Sequence, residues 1–192
     1  MRVEEGGAQM EILDVVDDNG IPTGRIVERE RAHREGIQHR TAHLWIARRR
    51  DGHVELLLQK RSRDKDSFPG CYDISSAGHI PAGVDYIPSA LRELKEELGV
   101  TAAEKDLILC GKRRLVVHSE FHHTPYNDYQ VCAVYLMWLD WDEEQFSVQT
   151  EEIESVKWME FEACKKAVIE DTMPNCIDIE ELAMLEVHFH DI

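Results

Sequence analysis

The chain has 192 residues, 43% hydrophobic and 31% charged, with no low-complexity or repeated stretch, which suits one medium-sized domain with a real core and argues against bulk disorder. The 22 Lys and Arg against 38 Asp and Glu give a formal net charge of -16, so nucleic-acid polymers are disfavoured as partners. A small anionic substrate stays within reach, because divalent cations held by carboxylates reverse the local sign.

Residues 1–9 are polar and Gly-containing and read as a flexible N-terminal segment, with Met10 a candidate natural start and 10–192 a single domain. "EILDVVDDNGIPTGRIV" predicts two short strands around an Asp-Asn-Gly turn, followed by a short polar helix or turn near Arg29 to Arg34. "RTAHLWIARR" and "HVELLLQKR", joined by Asp51-Gly52, predict a hairpin. After the charged loop "RSRDKDSFPG", "CYDISSAGH" predicts one strand ending in Gly78, and Pro88 to Leu98 a helix closed by Gly99. Strands are expected at Leu107 to Val117, Gln130 to Leu139 and Val156 to Glu160, then helices near Glu162 to Glu170 and Ile177 to Val187. The class is α+β, with a mixed β-sheet flanked by helices.

The five cysteines (Cys71, Cys110, Cys132, Cys164, Cys176) are scattered and contain no C-x-x-C pair, so reduced packing residues are expected. No signal-peptide core opens the chain, and the longest apolar run, Cys132 to Leu139, is too short to span a bilayer. The expectation is a cytoplasmic protein with no membrane partner.

On a helical wheel, Ile87, Ala90, Leu91, Leu94 and Leu98 form one apolar stripe, with Glu93, Glu96 and Glu97 in an adjoining arc of about 100°. Like charges at these spacings weaken a bare helix by a few tenths of a kcal/mol per pair, a penalty that a cation removes. Carboxylate oxygens are hard ligands suited to Mg²⁺, with Mn²⁺ the alternative. Glu-rich helix faces are commonly mere solvated surfaces. Here the run follows a strand, a Gly-His turn and a loop, and a Leu-Gly-Val stop closes it.

In this segment, 78–100, the chain resembles the Nudix superfamily. Gly78 takes the first position of the Nudix box, and Arg92, Glu93, Leu94, Glu96, Glu97, Gly99 and Val100 take the later ones with the required spacing. The first box glutamate is replaced by Val84, with Asp85 one residue later. The resemblance implies an α/β/α sandwich and a metal-dependent pyrophosphohydrolase that cleaves a diphosphate linkage in a small nucleotide-like substrate. It also implies roles. Glu93, Glu96, Glu97 and the Gly78 carbonyl would hold metal, Glu96 and Glu97 would be catalytic, and Arg92 would orient the glutamates. Glu151 and Glu152 resemble downstream glutamates used as bases in some members, and a homodimer is the assembly common in the family.

"HRTAHLWI", "LLLQKRSRDKDSFPGCYDISSAGH" and "NDYQVC" also resemble isopentenyl diphosphate isomerases and their hydrolase relatives. Those isomerases use a cysteine before the Gly-His and a later glutamate to move a proton. Ala77 and Gln130 stand at these places and cannot do so, which favours the hydrolases. His33, His39 and His79 stand near the isomerases' metal-binding histidines, but with Gln130 for the partner glutamate they read as hydrogen-bonding or substrate-contacting groups. Arg61, Arg63 and Lys65 form a basic loop placed to grip a diphosphate, or a solvated loop balanced by Asp64 and Asp66. Trp45 and Tyr72 could stack on a base, although strand aromatics more often fill cores. Three readings stay open: nucleoside diphosphate hydrolase, isomerase, and a catalytically weak nucleotide-binding regulatory module suggested by Val84.

Overall fold

The computed structural model describes residues 11–65 and 67–189, so the segment before residue 10 and Asp66 lie outside the described residues. A small antiparallel ribbon of β1 (Ile12–Val16) and β2 (Pro22–Glu28) leads into the short helix α1 (Arg29–Glu35). Next comes the hairpin of β3 (His39–Arg50) and β4 (His53–Arg61), whose turn residues Asp51 and Gly52 both have positive φ.

The expected single strand in "CYDISSAGH" is two. β5 (Tyr72–Asp73) pairs with β4, and β6 (Ser76–His79) pairs with β3. The break has a physical cause, because β3 and β4 diverge beyond the Ala47–Leu56 pair and leave backbone groups facing a gap. Ser75 fills it, its Oγ accepting from Ile46 N and donating to Leu57 O, each at 2.7 Å. The second strand also runs past Gly78 to His79, which pairs with Thr41.

Helix α2 (Tyr86–Leu98) precedes β7 (Ile108–Phe121), β8 (Thr124–Trp138), β9 (Ile153–Glu160), α3 (Phe161–Ile169) and α4 (Ile179–Glu186). Both β7 and β8 outrun their expected ends, meeting at a tight turn in which His122 and His123 are left-handed, with φ of 51° and 63°. The polar sequence there hid the strand continuation, since one side of this ribbon faces solvent.

The seven-stranded sheet has the order β5-β4-β3-β8-β7, with β6 on β3 and β9 on β4; β3 and β8 run parallel among antiparallel neighbours. These two central strands are buried over residues 39–48, with His43 half-buried, and 130–137, where both faces are covered. On one face Trp45, Cys132 and Leu136 pack with Phe161, Cys164, Leu182 and Leu185 of α3 and α4. On the other, Leu44, Ile46, Ala133 and Tyr135 pack with Ala90, Leu94 and Leu98 of α2. Each fully buried Leu or Ile contributes about 1.5–3 kcal/mol. The result is an α/β/α sandwich around a mixed sheet.

Trp45 is fully buried and offers no face to a base, and one face of the half-buried Tyr72 is taken by the Lys157 ammonium, 3.7 Å from its ring centre. All five cysteines are free. No helix among the described residues is long and apolar enough to cross a membrane.

Candidate active site

Helix α2 starts at Tyr86, two residues before the expected Pro88. Asp85 caps it, and a proline in the first turn loses no helical hydrogen bond. Gly99 ends the helix in the left-handed conformation, its N–H bonded to Lys95 O at 3.1 Å. Ala90, Leu94 and Leu98 are buried as expected, while Ile87 and Leu91 are half-buried.

The three glutamates differ in environment. Glu96 is 54% exposed at its side chain, Glu93 is 17% exposed, and Glu97 is buried, accepting from Ser76 Oγ at 2.6 Å. Burial, helped by Glu93 and Glu152 against the opposing Ser76 bond and Lys65, pushes the Glu97 carboxyl up to about 8. Glu93 is raised to about 7, again chiefly by burial, with Arg92 opposing and Glu96 adding. Arg92 spans the pair on the solvent side, 2.5 Å from Glu93 Oε1 and 3.2 Å from Glu96 Oε2.

Gly78 lies under Glu93. A Cβ there would sit 2.5 Å from Glu93 Cγ and Cδ, so the close approach of β6 to α2 requires glycine. The loop before β9 docks on the helix end through Gln149 N to Glu97 O, 2.9 Å, and on the residue after β4 through Ser62 N to Glu152 O, 2.9 Å.

A cleft of about 220 Å³ gathers Gly78, His79, Glu93, Glu96, Glu97 and Glu152 with Arg61 and Lys65. Arg61 is held by Asp73 at 3.0 Å and by Ser67 O, and Lys65 pairs with Glu152. Two expected residues are not brought in. Glu151 is exposed and outside the cleft, and Arg63, in the turn after β4, is 81% exposed and paired with Glu154 at 3.5 Å. Asp64 stays in the basic loop, its N–H on Ser62 Oγ.

Sequence reasoning missed Arg29, at the start of α1, which lines the cleft together with Glu11. It also missed Asp128. His33, His39, His79 and Asp128 each offer a ligand atom within 4.8 Å of the others. His39 Nδ1 donates to Ile37 O at 2.8 Å, which leaves Nε2 as the other ring nitrogen. That atom faces Asp128 Oδ1 at 3.3 Å, and neither atom has a hydrogen-bond partner. Burial above all lowers His33 to about 4 and His79 well below the usual range, leaving neutral rings. Asp128 is lowered despite its burial, because the contacts with His39, His79 and His33 outweigh it. A proton on Nε2 or a cation held between the two atoms would satisfy both.

Arg29, Arg61, Lys65, Gly78 and His79 also border an adjoining chamber of about 570 Å³ between the sheet and α4, walled by Phe68, Leu115, Val117, Ile169 and Ile177.

Residues 37–177 match the family profile of the NUDIX domain. The chain belongs to the Nudix family. It is 41% identical over 157 residues to Nudix hydrolase 3 of Arabidopsis thaliana, covering 79% of this chain and 19% of that protein. An uncharacterized Nudix hydrolase of Clostridium acetobutylicum is 36% identical over 143 residues, covering 74% of this chain and 66% of that one. The chain thus spans less than two thirds of both relatives. A crystal structure of a Deinococcus radiodurans protein superposes with a TM-score of 0.65 at 20% identity, covering 90% of this chain and 98% of that one. A Caenorhabditis elegans Ap4A hydrolase complex superposes at 0.53 and 22% identity, covering 80% and 98%. Both share the fold seen here.

Proposed function

We propose that this Nudix protein is a divalent-metal-dependent pyrophosphohydrolase that cleaves the diphosphate linkage of a nucleoside diphosphate derivative, releasing a nucleotide and phosphate or a phosphorylated fragment. The carrying observation is the convergence of Glu93, Glu96 and Glu97 with Arg61 and Lys65 in one cleft. Burial raises both Glu93 and Glu97, and as hard oxygen donors they fit a Mg²⁺ or Mn²⁺ ion that would offset the cost of their buried charge.

The three glutamates and the Gly78 carbonyl would hold the metal, which supplies charge neutralisation at the phosphoryl oxygens and a lowered pKa for the attacking water. Arg92 orients Glu93 and Glu96. Arg61, Lys65 and Arg29 bind the diphosphate oxygens, and His79 contacts the substrate between cleft and chamber. Glu152, which reaches the cleft where Glu151 does not, accepts the proton from water. At the site of the missing first box glutamate, Val84 packs against the core and its carbonyl accepts from Arg40 at 2.8 Å, so the strand-to-helix loop is held without a carboxylate.

The finer kinship is to the hydrolase relatives of the isopentenyl diphosphate isomerases. Gln130 is committed to Thr41 at 2.8 Å and Asp128 at 2.5 Å, and Ala77 has no proton to give, so the isomerase shuttle lacks both ends. The opposed His39 and Asp128 atoms favour a second cation among the histidines over a purely hydrogen-bonding role, with Asp128 supplying the carboxylate that Gln130 lacks. Its check is the metal content of the purified protein. Five free thiols accord with action in the cytoplasm.

With Mg²⁺ and a panel of diphosphate compounds, the wild type is expected to release phosphate or a nucleoside monophosphate. Glu96→Gln and Glu97→Gln should each lower turnover by about two orders of magnitude or more. Tight nucleotide binding without turnover would favour the regulatory module, and deuterium exchange into isopentenyl diphosphate the isomerase.

A further inference from the structure

The chamber beside the glutamate cleft contains a fixed polar group that the hydrolytic chemistry leaves unused. Along β3, Thr41, His43 and Trp45 point to the face covered by α4, and His43 and Glu181 both line the chamber without lining the glutamate cleft. Glu181 is 2% exposed and fully engaged. It accepts from His43 Nδ1 at 2.8 Å, from Trp45 Nε1 at 3.0 Å and from Arg113 at 3.2 Å. These bonds lock the imidazole plane.

His43 is not the sole tether of α4 to the sheet, because Arg113 also binds Asp178, Glu180 and Glu181. Of the other carboxylates of the chamber, Asp73 is occupied by Arg61, and Asp128 by Tyr126 and Gln130 at Oδ2 while its Oδ1 faces His39. Burial opposes a charge on His43, but Cys132 and Glu181 beside it raise its pKa well above the usual value, so the ring keeps a second N–H. Cys132, fully buried next to it, is a weak acceptor compared with an oxygen or ring nitrogen. Around this donor the wall is largely aliphatic, with Leu115, Val117, Ile169 and Ile177.

We propose that His43, positioned by Glu181, is the specificity-determining contact of this hydrolase, donating a hydrogen bond to an acceptor on the nucleoside part of the substrate while the apolar wall packs against its rings. This deepens the proposed function and rests on the diphosphate lying in the cleft. A buried donor left unpaired penalises any diphosphate that lacks the acceptor, which is how such a group discriminates.

The test is titration calorimetry of the full chain with ADP-ribose and with inorganic pyrophosphate, with Ca²⁺ replacing Mg²⁺ to suppress turnover. The wild type should bind ADP-ribose at least about tenfold more tightly than pyrophosphate. His43→Leu should weaken ADP-ribose by about tenfold or more relative to pyrophosphate, and His43→Gln, which keeps an N–H, should recover part of the loss. Pyrophosphate reports on the folded cleft in every variant. Parallel weakening of both ligands, as a structural tether would give, overturns the proposal, as does a wild type without preference for ADP-ribose. Failure of the hydrolase reading shows separately, as no turnover in Mg²⁺ by a protein that binds both probes.

Discussion

Glycine at position 78 is required by one contact. With a Cβ 2.5 Å from Glu93 Cγ and Cδ, alanine would force the Glu93 side chain aside while the backbone could stay. Gly78→Ala is therefore expected to lower turnover by about 100-fold through ligand misplacement, with a stability cost of only about 1–3 kcal/mol. Turnover and a denaturant melt of the same preparation check both halves. Glu181 behaves differently, because its bonds stabilise the fold. Its carboxyl is held down to about 2 in spite of burial, by His43 first and then Trp45 and Arg113. A depressed carboxylate contributes stability above its ordinary pKa of 4.5 and loses it as pH falls toward 2, whereas the raised His43 contributes below 6.5 and loses it as pH climbs through its folded value. Glu181→Gln should cost about 3 kcal/mol or more near pH 6, with the gap to wild type closing between pH 5 and 2. A gap constant across that range in urea melts would contradict the pairing.

At the scale of elements, what the chain announces and what it conceals have separable causes. Helix α2 was legible because its apolar spacing and Gly99 mark one face and one end. The wheel placed Glu97 in the acidic arc beside the stripe without telling it from Glu96, yet it is buried, because only the tertiary contact with Ser76 decides that a residue at the stripe's edge turns inward. The hairpin of β3 and β4 was legible from Asp51-Gly52, whereas the split of β5 from β6 was not, since no local pattern reveals that two strands diverge. Ser75 is the residue that makes the divergence tolerable. Ser75→Ala would leave Ile46 N–H and Leu57 C=O buried without that partner and should cost about 1–3 kcal/mol, read from chemical denaturation. A neutral substitution would mean that the gap closes by itself.

Over the whole molecule, the sheet brings together groups that are far apart in the chain. Asp128 joins His33, His39 and His79 through the parallel register that sets His39 against Gln130. Such a partnership is invisible to local spacing, as is the placing of Arg29 at the cleft. A chain with net charge -16 collects Arg29, Arg61 and Lys65 at the boundary of cleft and chamber, which localises attraction for a small anion in an otherwise repelling surface. The central claim is that Glu93, Glu96 and Glu97 hold a divalent ion against the substrate diphosphate. Crystals soaked in Mn²⁺ test it most directly through anomalous scattering. The account predicts a peak among these three carboxylates and the Gly78 carbonyl, lost in Glu97→Gln. A peak confined to the histidines and Asp128, or a glutamate peak indifferent to that substitution, would contradict it.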